Sequence, residues 1–352
     1  MFINPPLKQR EDFIFIAYLP FLKELDQLSA NEFATGILSG DKVIIARAIT
    51  LLESNAPNQR NKALEILELC LPHSGNSIRI GITGSPGVGK STFIEALGNQ
   101  FLLDNKKLAV LAIDPSSKKS KGSILGDKTR MQELSKSKNV FIRPTAAGST
   151  TGGVASATRE CMIILEAAGY EIIMVETVGV GQSETAVYDI TDIFILLLLA
   201  GAGDELQGIK RGIMEMADII LINKSDGDNL EKAKIARADV ERAIHLFQPK
   251  DSGWQTTTEI CSAVSGLNLE TIKNLIHSYI NTVTQNGYFK TRRKDQFKQW
   301  FNEDLNNKLL QHFHQNPSFG ALLAEQEIKI EKGEILPPKA VQLLLQQFLT
   351  KL

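Results

Sequence analysis

Apolar and polar positions divide the chain into three stretches of different rhythm. Up to about residue 75, apolar residues recur at helical spacing, as at Ile45, Ile49 and Leu52 and again at Ala63, Ile66, Leu67 and Cys70. That period predicts amphipathic helices. Between 76 and 267, short apolar runs alternate with helical patterns. Ile78–Thr83, Leu108–Ile113, Val140–Ile142, Ile172–Glu176, Ile193–Leu199, Ile219–Ile222 and Thr258–Cys261 read as strands. Such alternation implies an α/β fold with a doubly wound, mostly parallel sheet that binds ligands at the carboxyl ends of its strands. From 268 to 352 helical spacing returns, as in Phe301, Leu305 and Leu309, with a break at Pro337 and Pro338. The expected organisation is an N-terminal helical region (1–75), a sheet domain (76–267) and a C-terminal helical region (268–352). The apolar positions of the last region exceed what so small a block buries alone, which predicts a homodimer built through it.

The first strand runs into Gly84-Ser85-Pro86-Gly87-Val88-Gly89-Lys90-Ser91, and Thr92 to Leu102 reads as a helix. This is the Walker A pattern in its required context, a strand before and a helix after. Such a loop turns successive backbone N–H groups toward an anion at a helix N-terminus, while the lysine reaches the outer phosphates. The expected nucleotide contacts are therefore Gly84 to Thr92, with Lys90 also catalytic and Ser91 on Mg²⁺. Glycine suits 84, 87 and 89, where the backbone approaches phosphate closely or takes positive φ.

Two later segments select the base. Asn223-Lys224-Ser225-Asp226 follows the strand Ile219–Ile222 and has the N-K-x-D form of guanine readers. A carboxylate at Asp226 accepts from the ring N–H and exocyclic amine of guanine, and adenine presents the wrong pattern. Ser262-Ala263-Val264-Ser265-Gly266 follows another strand and fits the S-A-x-x-G loop, whose backbone N–H meets the guanine carbonyl. Asn223, Lys224, Asp226, Ser262 and Ala263 are the expected base contacts, and GTP/GDP the expected nucleotide.

Composition narrows the setting. The chain has 352 residues, 43% of them hydrophobic, and a net charge of −1. With both signs interspersed, nothing favours nucleic acid or an anionic membrane. Three scattered cysteines, Cys70, Cys161 and Cys261, suit a reducing cytoplasm. The apolar stretch Phe13 to Leu22 follows Glu11 and Asp12, contains Pro20 and lacks a small-residue cleavage site, so an amphipathic helix is expected rather than a signal peptide. The run Ile193 to Ala200 is too short to span a bilayer.

Hydrolysis also needs a metal shell and a switch. Glu176 ends a central strand where P-loop enzymes place an acid, and Gly179 in Thr177-Val178-Gly179 can swing its N–H toward a γ-phosphate. Asp114 ends another strand, and Asp127 lies in the loop Ser116 to Arg130. Mg²⁺ takes octahedral oxygen ligation and keeps waters. Ser91 and one acid are expected to bind it directly and the remaining carboxylates through water, with helix capping as the other reading of Asp127. Gln182 lies three residues beyond Gly179 and receives no role. Lys210 and Arg211 close a Gly-rich loop from which a cation can reach the nucleotide, although on the residues alone a solvated basic pair is the better reading.

These segments, together with Ala46-Arg47-Ala48-Ile49-Thr50, Asp114-Pro115-Ser116-Ser117, Gly126 to Met131, Phe141-Ile142-Arg143-Pro144, Glu176 to Glu184 and Gly203 to Gly212, resemble the MeaB-like group of P-loop GTPases. That group includes methylmalonic aciduria type A proteins and the bacterial ArgK or LAO/AO transport ATPases. The resemblance covers the chain beyond about residue 35. It implies a homodimeric GTPase that acts as chaperone for an adenosylcobalamin-dependent acyl-CoA mutase, usually methylmalonyl-CoA mutase, gating cofactor loading and protecting the enzyme. It also implies that Asp114, Asp127 and Glu176 surround Mg²⁺, and that the loop with Lys210 assists hydrolysis when the mutase is bound.

Two other functions share this fold. A nickel or cobalt metallochaperone would carry Cys-rich or His-rich segments, and the nearest candidate is His312-Phe313-His314. A kinase or ATPase serving amino-acid transport would bind ATP, against which Asp226 argues.

Overall fold

The computed structural model describes residues 27–54, 56–114, 131–146, 153–177, 183–200 and 211–349. The stretch Phe13 to Leu22 lies outside them. Among the described residues three α-helices come first: α1 (Ala30–Leu38), α2 (Lys42–Leu52) and α3 (Pro57–Cys70). At the start of α1 the Ser29 hydroxyl accepts from the Glu32 N–H and the Glu32 carboxylate accepts from the Ser29 N–H, a reciprocal cap that fixes where the helix begins.

The seven apolar runs are strands β1 (Ile78–Gly84), β2 (Leu108–Asp114), β3 (Val140–Ala146), β4 (Ile172–Thr177), β5 (Ile193–Leu199), β6 (Ile219–Asn223) and β7 (Thr257–Ile260). They form one sheet in the order β3-β2-β4-β1-β5-β6-β7, and every neighbouring pair is parallel. Between and after them run α4 (Lys90–Leu103), α5 (Gln132–Lys136), α6 (Gly153–Ala167), α7 (Ser183–Tyr188), α8 (Arg211–Met216), α9 (Leu230–Ile244) and α10 (Leu269–Gln285). β1 and β4 are neighbours, but β1 connects onward to β2 on one side and β4 to β5 on the other. Their carboxyl ends therefore flank a topological switch point, where α/β sheets bind ligands.

Alternate residues of the strands, such as Ile80, Ile82, Val110, Met174, Ile195 and Leu221, join Phe93, Leu97 and Phe101 of α4 and Ile272, Ile276 and Tyr279 of α10 in one core. β5 is buried from Ile193 to Leu198, as expected of a strand covered on both faces. β3 extends beyond the predicted Ile142 through Pro144, which is tolerated because β3 is an edge strand. The chain divides into two compact units at Lys294 and Asp295, whereas the hydrophobic rhythm changes near 268. The reason is that the apolar face of α10 is buried against the sheet.

The N-terminal helices are fastened by charge. Arg60 of α3 forms a bidentate pair with Glu160 of α6. Arg143 of β3 pairs with Glu53 at 2.6 Å and donates to the Ala46 carbonyl at 3.1 Å, so the A-R-A-I-T and F-I-R-P segments meet in one contact. Lys42 of α2 donates to the Val140 carbonyl on β3 at 2.7 Å.

A larger ionic cluster sits at the amino end of the sheet. Glu166 of α6 accepts from Arg79 of β1 through Nε at 2.8 Å and Nη2 at 2.9 Å, and from the Ser77 hydroxyl and Gly75 N–H. Arg293 forks onto Asp192 at 2.8 and 2.7 Å, reaches Glu166 at 3.4 Å and donates to the carbonyls of Gly75 and Ser77. The Tyr279 hydroxyl binds the Asp192 carbonyl.

The second unit comprises the rest of α11 (Tyr288–Gln315), α12 (Pro317–Glu331) and α13 (Pro337–Leu349). Asn316 caps α12, accepting from the Ser318 and Phe319 N–H groups. Phe319, Leu344 and Phe348 form its small core with Phe313, and the Phe313 and Phe348 rings meet edge to face at 5.2 Å. Phe297, Phe301, Leu305 and Leu309 of α11, spaced four residues apart, are exposed.

Removing one member of a buried ion pair leaves the other uncompensated. Glu166→Gln is expected to destabilise the first unit by about 3–5 kcal/mol in denaturant titration. Burial raises the Glu166 pKa, but Arg79, Arg293 and Ser77 more than offset this and hold it below the usual 4.5. Its contribution is thus present above pH 4.5 and lost as pH falls through the lower folded value, so wild type should lose stability in that acid window more steeply than Glu166→Gln.

Candidate functional site

The loop between β1 and α4 is built for close backbone approach. Gly84 has φ 153°, and a Cβ there would lie 2.6 Å from the Leu197 carbonyl oxygen. Gly89 sits before α4 at φ 95°, in the left-handed region that favours glycine. Val88 between them is fully buried and pins the loop to the core. No side chain caps α4, so its first N–H groups and the positive end of its dipole remain for an anion. The Ser85 hydroxyl is buried without a hydrogen-bond partner, a second polar atom suited to a phosphate oxygen.

Lys90 is 8% exposed, and its ammonium donates to the carbonyls of Gly84 at 2.8 Å and Ser85 at 3.2 Å. Burial lowers its pKa, opposed by the charges of Glu176 and Glu184. Across the switch point, Ser91 Oγ donates to Glu176 Oε1 at 2.9 Å. The register of β1 with β4, which sets Ile82 opposite Glu176, brings this hydroxyl and carboxylate together. Two hard oxygen donors beside a phosphate loop fit Mg²⁺. Asp127, Gly179 and Lys210 lie outside the described residues, as does the side chain of Asp114.

The two guanine-type segments converge on the same loop. Asn223 ends β6 at 1% exposure, and its Nδ2 donates to the Val88 carbonyl at 2.9 Å. Its Oδ1 accepts from the Ala263 N–H at 3.3 Å and the Cys261 thiol at 3.6 Å. Lys224 donates to the Gly87 carbonyl at 2.8 Å, and Asp226 is exposed. The S-A-x-x-G loop closes on itself through Gly266 N–H to the Ser262 carbonyl and Ser265 N–H to the Ser262 hydroxyl. Asn268, at φ 60°, ties this loop back to the Ile260 carbonyl at 3.0 Å.

Residues 84–92, 176, 223–226 and 262–263 thus lie at the ends of β1, β4 and β6, on the loops that follow β1, β6 and β7, and on the first turn of α4. Three contributors lacked a motif: Cys261, Asn268 and Thr83, whose hydroxyl meets that of Thr177 in the Thr177-Val178-Gly179 segment at 2.9 Å. Each lies within two residues of a motif, which is the only signal that points to it.

Comparison with known proteins agrees with this geometry. Residues 45–318 match the family model described as methylmalonyl Co-A mutase-associated GTPase MeaB. "Probable GTPase Rv1496" of Mycobacterium tuberculosis is 43% identical over 321 residues, covering 91% of this chain and 96% of that protein. The mitochondrial "Methylmalonic aciduria type A homolog" of Mus musculus is 39% identical over 337 residues, with 93% and 81% covered. The crystal structure of an LAO/AO transport system kinase superposes with a TM-score of 0.74 at 34% identity, over 91% of this chain and 97% of that one. Phosphate loop, guanine-type segments and strand order agree with sequence kinship along most of the chain, which belongs to the MeaB family of P-loop GTPases.

Proposed function

We propose that this GTPase is a chaperone for an adenosylcobalamin-dependent acyl-CoA mutase, methylmalonyl-CoA mutase in the first instance, and that GTP hydrolysis gates cofactor loading and protects the mutase. The match to a family described as mutase-associated carries this reading. In it, residues 84–92 would hold the phosphates, Ser91 and one acid among Glu176, Asp114 and Asp127 would hold Mg²⁺ directly with the other carboxylates acting through water, and Asp226 with the Ser262-Ala263 turn would read guanine. Mg²⁺ would draw charge from the transferring phosphoryl group. Gly179 senses the γ-phosphate, and Lys210 meets charge that develops in the transition state. Arg211 is engaged elsewhere, bound to Glu215 at 3.0 Å and set over the Phe247 ring.

The metallochaperone alternative finds little support in the cysteines. Each is buried, and burial pushes the thiols up, to about 11 at Cys70 and about 12 at Cys261, away from the thiolate a metal binds. Three free cysteines suit a cytoplasmic setting. For a transport role, no helix among the described residues is long and apolar enough to cross a membrane. The exposed stripe of Phe297, Phe301, Leu305 and Leu309 supports a homodimer formed through the C-terminal region.

Asp226→Asn should weaken GTP binding at least tenfold and favour xanthine nucleotides, because an amide donates where the carboxylate accepted. Competition titrations with GTP and XTP check this, and unchanged GTP affinity removes Asp226 from the base site.

Lys210→Ala should bind GTP almost normally yet lose most of the stimulation of hydrolysis by purified methylmalonyl-CoA mutase, with Arg211→Ala affected less. Absence of any stimulation in wild type would refute the mutase reading itself.

Full-length protein should run as a dimer in light scattering, and Phe301→Glu with Leu305→Glu should yield monomers that still bind GTP. A monomeric wild type would refute the dimer.

A further inference from the structure

We propose that the buried hydroxyls of Thr83 and Thr177 form a positioning pair that sets the origin of the Val178-Gly179 segment against the phosphate loop. Their oxygens lie 2.9 Å apart, and the residues are 1% and 0% exposed. Thr83 immediately precedes Gly84, the first residue of the loop. Thr177 is the last residue of β4, two positions before Gly179.

The register of β1 with β4 runs to Ile82 opposite Glu176. Beyond that point each strand goes on with its other neighbour, β1 to Gly84 opposite Leu197 and β4 to Thr177 opposite Ile113. The hydroxyl contact therefore joins the two strands one residue beyond their own ladder, at the point where both hand over to functional loops. One residue earlier, on the other face, Glu176 meets Ser91.

Two valines would satisfy strand preference and burial at both positions without placing hydroxyls in a dry core. A pair of hydroxyls that bond each other adds little net stability over such a replacement, since each forfeits water to gain one partner. What the bond adds is direction: it holds the end of β4 at one distance from the start of the phosphate loop. In the proposed reading, Gly179 is joined to this fixed end through Val178 alone.

This inference rests on the reading of Gly179 as the γ-phosphate sensor. The test compares Thr83→Val, Thr177→Val, the double valine variant, Thr177→Ser and Gly179→Ala in three measurements: kcat for GTP hydrolysis, affinity for a fluorescent GDP analogue, and the thermal unfolding midpoint. Each valine variant and the double variant should lower kcat about three- to tenfold with GDP affinity nearly unchanged. The double variant should recover the unfolding midpoint that the single ones lose, because no buried hydroxyl is left alone, while kcat stays low. Thr177→Ser should keep kcat. A double variant that hydrolyses GTP at the wild-type rate, or kcat that recovers together with the unfolding midpoint, overturns the proposal. If Gly179→Ala is impaired and the threonine variants are not, the pair alone fails. If Gly179→Ala turns over normally, the switch reading fails and takes the inference with it.

Discussion

A single buried amide holds the nucleotide-facing end of this protein in register. Asn223 gives its nitrogen to the Val88 carbonyl and its oxygen to the Ala263 N–H and the Cys261 thiol. Val88 lies 135 residues before Asn223 and Ala263 lies 40 residues after it. Each bond is worth only about 1 kcal/mol net, but a buried amide left without partners costs more than it gave. The Walker A loop and the two guanine-type segments are therefore stable together. Lys224, bound to the Gly87 carbonyl, reinforces the joint from the solvent side.

The opposite end of the sheet is organised by charge instead. Glu166, Arg79, Arg293 and Asp192 bring β1, α6, the start of β5 and the start of α11 to one place. Fully paired, such a cluster adds less stability than the same volume of hydrocarbon, but it punishes every arrangement in which one member is missing. One end of the parallel sheet is thus left to be shaped for ligand, and the other fixes how strands and helices begin. The switch point between β1 and β4 then follows from topology alone, and Ser91 meets Glu176 because the register puts them there.

Much of this could be read from residues close together in sequence. All seven strands, the parallel sheet and the phosphate loop follow from local rhythm and glycine placement, and the positive φ at Gly84, Gly87 and Gly89 is what that loop requires. The contacts that escaped are those between distant positions. Arg79 and Glu166 are 87 residues apart and Arg293 and Asp192 are 101 apart, and nothing local marks either pair as partners. Pro144 hid the full length of β3 because proline ordinarily argues against a strand, and only its place at the edge of the sheet removes the objection. The helical rhythm from 268 likewise suggested a new region, since periodicity reports that a helix has an apolar face and not what covers it. Asn223 was legible as a base-motif residue, while its hold on Val88 was not.

The sheet's outer strands bear on how this protein behaves at high concentration. β3 has Lys42 seated on its Val140 carbonyl and carries a proline with no N–H to offer, and β7 at the other edge is only four residues long. A bare strand edge is a template on which a foreign strand can grow, and short, plugged or proline-bearing edges withhold that template. A parallel sheet with inner strands as apolar as β5 and β6 would otherwise be a ready seed for fibrillar aggregates, and these blunted margins leave little for such growth to start from.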